Sequence, residues 1–309
     1  MTDPDRLEPL AVLRQLPDWA HCPADAPVTR LGGLTNRVFR IDLPDGPVVV
    51  RLPGKGTEAY IDREIEAHNA RVAETAGVSP RLLHVDPARG VMVTTHVDGV
   101  TMTPEGFAGR AGAPARAARA FAQLHRSGLQ FRHRFELFSE IETYRKQVAA
   151  LGVALPEGYD ATVESAGTIR AALASRPVPL APCHCDPLCE NFIDTGSRMW
   201  VVDWEYSGMN DPMWDLGDLS VEAGFDAAQD AELLAAYFDG AVPPDAEARM
   251  VIYKAMCDLL WTLWGLVQHG NGNEAEDFWA YATGRLERCR ALMAGPGFGA
   301  HVERLARGC

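Results

Sequence analysis

The sequence has no excess of basic residues. Its 29 Lys and Arg face 42 Asp and Glu, giving a formal net charge of −13 and a pI near 5.1. That balance argues against a nucleic-acid partner, which calls for a basic surface; it is compatible with a cationic small molecule. No apolar run reaches the ~18 residues that cross a bilayer, and there is no internal repeat or low-complexity tract. The opening MTDPDRLEPL lacks the basic and apolar regions of a signal peptide. Seven cysteines are an odd number without a framework spacing, which excludes a disulfide scaffold and favours a reducing compartment. The expectation is a cytoplasmic protein with no membrane partner. Cys183, His184, Cys185 and Cys189 are too crowded for a zinc site, and no second CxxC supports one.

What is present is an ordinary core composition, 47% hydrophobic and 23% charged over 309 residues, enough for one large domain or two modest ones. A lead-in helix over residues 1–20 carries Leu7, Leu10, Leu13 and Leu16. Short apolar runs at 28–31, 38–43, 48–52, 81–85 and 91–97 predict five strands. Thr57 is the expected cap of one helix running to Ala76. Between the first two strands lies LGGLTNR, where Gly32 and Gly33, with Thr35 and Asn36, either let backbone amides approach a phosphate or form a plain hairpin turn. Arg51 ends the third strand, where a cation holds nucleotide phosphates in kinase-like lobes, unless it is a surface residue. Glu64 on the helix either pairs with Arg51 or belongs to a solvated face. Backbone groups of Thr95–Val97, before the Asp98-Gly99 turn, are expected to face a nucleotide base. From Pro104 onward the pattern is mostly helical.

The most informative stretch is 183–220, CHCDPLCENFIDTGSRMWVVDWEYSGMNDPMWDLGDLS. Residues 191–194 and 199–204 alternate as two strands around a Gly-containing turn, a hairpin that folds Asp203 back towards Asn191. Asp186 lies in the loop feeding that hairpin. Asn191 and Asp203 then suit a divalent cation, and Asp186 is left to accept a proton from an attacking hydroxyl. His-x-Asp-x4-Asn followed by a hairpin Asp is the order of a kinase catalytic loop and its metal-binding carboxylate.

A second constellation is aromatic. Trp261 and Trp264, three apart in an apolar helix, share a face; Tyr281 follows on the next helix, and Tyr206 lies three residues after Asp203. Together they can wall a box for an alkylammonium head, with Glu222 facing its charge, or they can simply be core.

On these residues the chain resembles the choline/ethanolamine kinase family, bacterial branch, within the aminoglycoside-phosphotransferase-like, protein-kinase-like superfamily. GGLTNRVF is similar to the phosphate loop, VVVRLPG to the Arg-bearing strand, and FAQLHRSG to a superfamily helix. HCDPLCEN with VVDWEYSGMNDPMWDLGD resembles the catalytic loop and signature segment. The resemblance implies an α+β bilobal fold. A nucleotide lobe over 1–98 would carry a five-stranded antiparallel sheet and one main helix, and a mostly helical lobe over 99–309 would carry a catalytic hairpin. It implies ATP and Mg²⁺, Asp186 as base, Asn191 and Asp203 as metal ligands, Arg51 on phosphate, and a choline or ethanolamine pocket from Tyr206, Glu222, Trp261, Trp264 and Tyr281. Phe278 stands where a second pocket tyrosine is expected. That departure leaves choline, ethanolamine or another amino alcohol open; the alternative is a related phosphotransferase acting on thiamine, a sugar or an aminoglycoside, and oligomeric state, including a dimer, is likewise open.

Overall fold

The computed structural model describes residues 4–32, 36–54 and 61–307. Helix α1 (Pro4–Arg14) brings Leu10 and Leu13, with Leu16 beyond it, into a small core. Strands β1 (Val28–Gly32), β2 (Arg37–Ile41), β3 (Val48–Leu52), β4 (Leu82–Asp86) and β5 (Val91–Thr95) form one antiparallel sheet in the order β1-β2-β3-β5-β4. Side chains alternate across a strand. Phe39, Ile41, Val48, Val50, Leu52, Val91 and Val93 therefore share the face that meets α1. The same alternation turns Arg51 to the opposite face, towards helix α2 (Arg63–Thr75). That helix begins later than its expected cap. Asp62 caps it, accepting the N–H groups of Glu64 and Ile65 at 3.0 and 3.1 Å, while Thr57 lies outside the described residues.

The remainder is mainly helical: α3 (Pro104–Gly109), α4 (Ala113–His125), α5 (Leu137–Ala150), α6 (Tyr159–Ser175), α7 (Pro212–Glu222), α8 (Ala227–Tyr237), α9 (Pro244–Gly270), α10 (Phe278–Ala294) and α11 (Phe298–Arg307). Helix α9 is its axis, packed by α5, α7, α10 and α11. By length and composition α9 would cross a bilayer, contrary to the reading of the bare sequence. However, 89% of its most apolar window is buried among the other helices, as in a soluble core helix. Gly217 of α7 makes the close crossing with α9 possible: a Cβ there would lie 2.8 Å from the Met250 carbonyl.

Between α6 and α7 come β7 (Ala181–Cys183), β8 (Phe192–Asp194), β9 (Met199–Val201) and β10 (Gly208–Asn210). The expected hairpin is β8–β9, with β6 (Val100–Thr101) added along β8; β10 pairs with β7. Its second strand ends at Val201, two residues before Asp203, because Asp203 takes a left-handed conformation (φ 67°) that breaks the ladder.

The hairpin is anchored by Asp194, which is 1% exposed. It accepts Arg110 Nε at 2.8 Å, Arg116 Nε and Nη2 at 2.8 and 2.6 Å, and the Gly196 N–H at 2.9 Å. Burial alone would raise its pKa, but the hydrogen bonds from Arg116 and Arg110 overcome that and bring it down to about 2. A carboxylate with a depressed folded-state pKa stabilises above its unfolded value, and that stability is lost as pH falls through the folded one. Asp194→Asn should therefore cost about 2–4 kcal/mol at pH 7, leaving two guanidinium groups short of a partner. Denaturant titrations should show the wild type losing stability between about pH 4 and 2 and the variant closing that gap.

Candidate active site

The loop over 183–191 is held from beneath by Asp215, in the first turn of α7. Asp211 caps that helix through Met213 N–H at 3.0 Å, and Pro212 supplies the first helical residue. Asp215 Oδ2 accepts the His184 N–H at 2.8 Å and Oδ1 accepts that of Cys185 at 2.9 Å; His125 Nε2 lies 2.9 Å from Oδ2. Trp214 adds its indole N–H to the Cys185 carbonyl at 3.1 Å. These bonds hold Cys185 at φ 67°, a region unfavourable for a residue with a Cβ. Burial keeps the His184 imidazole below its usual pKa. The neutral ring then donates from Nε2 to the Val202 carbonyl at 2.9 Å and accepts the Asp186 N–H at Nδ1, 3.3 Å away.

Asp186, Asn191 and Asp203 come together as the spacing predicts. Asn191 closes a 3-10 turn, donates Nδ2 to the Asp186 carbonyl at 3.0 Å, and accepts the Val202 N–H at its own carbonyl at 2.9 Å. That places Asp203 beside the loop. Burial, with Glu222, Asp203 and Glu205 nearby, pushes the Asp186 carboxyl well above the usual range; Arg285 acts the other way.

The sheet meets this loop through Arg51, 8% exposed. Its carboxylate partner on α2 is Glu66, not Glu64. Glu64 is exposed in the first turn, whereas Glu66 lies on the buried face with Ala67, Asn69, Ala70 and Ala73. Arg51 Nη1 also lies 3.4 Å from Asp203 Oδ1. Arg63 donates to Glu66 at 2.8 Å and to Glu205 at 3.3 Å. Asn36 is buried and donates to Asp203 Oδ2 at 3.4 Å and Glu205 Oε2 at 2.9 Å. Gly32 ends β1 at a bulge with φ 129°, a glycine conformation; Gly33 and Thr35 lie outside the described residues. At the sheet edge, Thr95 gives its N–H to the Arg81 carbonyl at 2.9 Å and His96 to that of Pro47 at 3.4 Å, so these two donors serve the sheet rather than a base. Val97 follows, half-buried.

Glu66, Asp203 and Glu205 each place a carboxylate oxygen within 4.8 Å of the others. Burial and the adjacent Asp203 push Glu205 up to about 7. With the amide oxygen of Asn191, the donors are all hard oxygens, which suits Mg²⁺. Each oxygen of Glu66 is closely held by an arginine, whereas the donors to Asp203 stand at 3.4 Å and those from Asn36 and Arg63 to Glu205 both fall on Oε2, so Asp203 and Glu205 are the better ligands. Sequence reasoning missed Glu205, although D-x-E in VVDWEY placed it one pleat from Asp203 on the same segment.

The aromatic residues also assemble. Tyr206 meets Trp261 edge-on at 5.6 Å and accepts the Trp264 indole N–H at 3.0 Å. Trp264 meets Tyr281 at 5.6 Å and Phe278 at 5.5 Å. Gly265 permits this contact between α9 and α10, since a Cβ there would fall 2.7 Å from Tyr281 Cδ1. Glu222 pairs with Arg285, whose guanidinium carbon lies 4.8 Å from the centre of the Tyr281 ring and which also donates to Asp258 at 3.0 Å. Asp186 thus stands where an acidic, oxygen-rich cluster adjoins a ring-lined one.

The chain is similar to known proteins over most of its length. The Phosphotransferase enzyme family matches residues 28–253. The crystal structure of a choline/ethanolamine kinase family protein from Mesorhizobium loti superposes with a TM-score of 0.89 at 57% identity, covering 97% of this chain and 99% of that one. Choline kinase LicA from Streptococcus pneumoniae gives 0.77 at 26% identity over 92% and 98% of the two chains. A LicA structure in complex with AMP gives 0.73 at 26% identity over 92% and 97%.

The pairing on α2 has a stability consequence. Glu66→Gln leaves Arg51 and Arg63 buried with weakened partners and should cost about 3–5 kcal/mol. Glu64→Gln, on the exposed side, should stay within about 0.5 kcal/mol. Urea denaturation of the two variants makes the comparison.

Proposed function

This chain belongs to the choline/ethanolamine kinase branch of the phosphotransferase enzyme family, and we propose that it transfers the γ-phosphoryl group of ATP to the hydroxyl of choline or ethanolamine. The observation that carries this reading is that Asp186 neighbours both the Asp203–Glu205 carboxylates and, through Glu222, Arg285 and Tyr281, the ring cluster. In this proposal the sheet side (residues 1–98) holds the nucleotide and the helical side (99–309) holds the acceptor.

Arg51 is the phosphate-facing cation, positioned by Glu66. Asn36 reaches the same carboxylates from immediately before β2. Asp203, Glu205 and Asn191 are the residues to hold Mg²⁺, which when bound offsets phosphate charge. Asp186 accepts the proton of the acceptor hydroxyl. An unliganded Asp186 favours its protonated form, and a cationic head entering the ring cluster favours the ionised one. Acceptor and base are then matched: the charge that marks the correct substrate also prepares the base. Trp261, Trp264, Tyr206 and Tyr281 offer ring faces worth about 1–2 kcal/mol each to a desolvated ammonium. Such a wall favours a cationic alcohol over a neutral sugar, and its rings set it apart from the more acidic lining that suits an aminoglycoside.

Asp186→Asn should abolish ADP release with choline or ethanolamine while the thermal midpoint stays near that of the wild type. Trp264→Ala should raise the acceptor KM on the order of tenfold, for a lost ring face, and leave the ATP KM nearly unchanged. A coupled ADP-release assay reads both. A fully active Asp186→Asn enzyme would remove the proposed base.

A further inference from the structure

Asp218 is fully buried on α7, one turn before Glu222, and its two oxygens differ. Oδ2 accepts the Trp261 indole N–H at 3.3 Å. Oδ1 is buried and has no hydrogen-bond partner among the described residues. A buried polar atom left in that state costs about 1–3 kcal/mol. Native folds retain few such atoms, and a binding site is one place where a ligand completes them.

The surroundings of Asp218 are those of the acceptor site. Trp261, its partner, carries Tyr206 edge-on. Burial, with Glu222 and Asp186 nearby, holds the Asp218 carboxyl well above the usual range, and a cation arriving beside it favours the ionised form. The nearby Arg285 gives its Nη1 to Glu222 and Asp258, so the positive charge already in this region is directed elsewhere. An acidic group beside the proton-accepting base and the ring wall, with one oxygen pinned and the other unmet, is arranged to receive a donor from a cation.

Building on the acceptor reading above, we propose that Asp218 is a substrate-binding residue whose Oδ1 accepts an N–H from the acceptor's ammonium head. It thereby separates primary from fully methylated heads. A primary ammonium brings N–H donors to a charge-assisted bond. A quaternary head has none and is held by ring faces and charge alone.

The test uses the full chain with ethanolamine, its N-methyl and N,N-dimethyl derivatives, and choline. Asp218→Asn keeps the side-chain size and an oxygen for Trp261 but removes the anionic acceptor. Loss of a charged hydrogen bond should raise the ethanolamine KM on the order of tenfold or more. The choline KM should rise clearly less than the ethanolamine KM, since charge attraction without a hydrogen bond is lost there, with the ATP KM unchanged. Equal rises across the series, or none, would overturn the proposal. Trp264→Ala serves as the control. If it raises the KM of every acceptor while Asp218→Asn changes no preference, the ring pocket stands and the role of Asp218 does not. If Trp264→Ala changes no acceptor KM, the pocket itself has been misplaced and Asp218 falls with it. A second measurement needs no substitution. Methylammonium should compete with the acceptor at least as tightly as tetramethylammonium in the wild-type protein, and the reverse order would overturn the proposal too.

Discussion

Two main-chain N–H groups ending on one buried carboxylate set the geometry on which the rest of this site depends. Asp215 does not join the acidic cluster or the ring cluster. It gathers the amides of His184 and Cys185, with His125 alongside, and so fixes the chain immediately before Asp186. Without it those donors would be buried and unmet, and of the bonds that hold Cys185 in its left-handed conformation only the one from Trp214 to its carbonyl would remain. From that anchored step the chain turns through Asn191 into β8, and His184 reaches across to the Val202 carbonyl. Loop and hairpin are thus one hydrogen-bonded unit.

The sheet is joined to that unit by charge. Arg51, Arg63 and Asn36 on one side meet Asp203 and Glu205 on the other, with Glu66 between the arginines. A surface this rich in carboxylate would repel a nucleotide if left alone. The arginines offset it, and because they lie on β3 and at the start of α2 they also set how the sheet sits against the hairpin.

Much of this was legible before any coordinates. Strand alternation located the sheet, and the His-x-Asp-x4-Asn spacing with a following Asp located the loop, because both depend on local period. The helix α2 was harder. The buried face of that helix is Glu66, Ala67, Asn69, Ala70 and Ala73. Small and polar residues line a face that holds Arg51, so hydrophobicity does not mark it: of the two roles open to Glu64 the solvated one is realised, and Glu66 makes the pairing. Asp215 and Asp218 were invisible as actors for a different reason. Each is defined by a partner some thirty to forty residues distant, His184 for one and Trp261 for the other, and no local pattern records such a meeting. The aromatic cluster was legible as residues but not as contacts, since the crossing of α9 and α10 decides them.

That crossing rests on Gly265. Tyr281 lies directly on the backbone of α9, with no side chain beneath it to shorten, lengthen or swing. The ring therefore has a floor rather than a neighbour. Added bulk at residue 265 would lever α10 outward and carry Arg285 away from Glu222 in the same movement. On the acceptor reading proposed above, the width of the room and the seating of two helices are set by one joint, and a larger guest would require that joint to be rebuilt first.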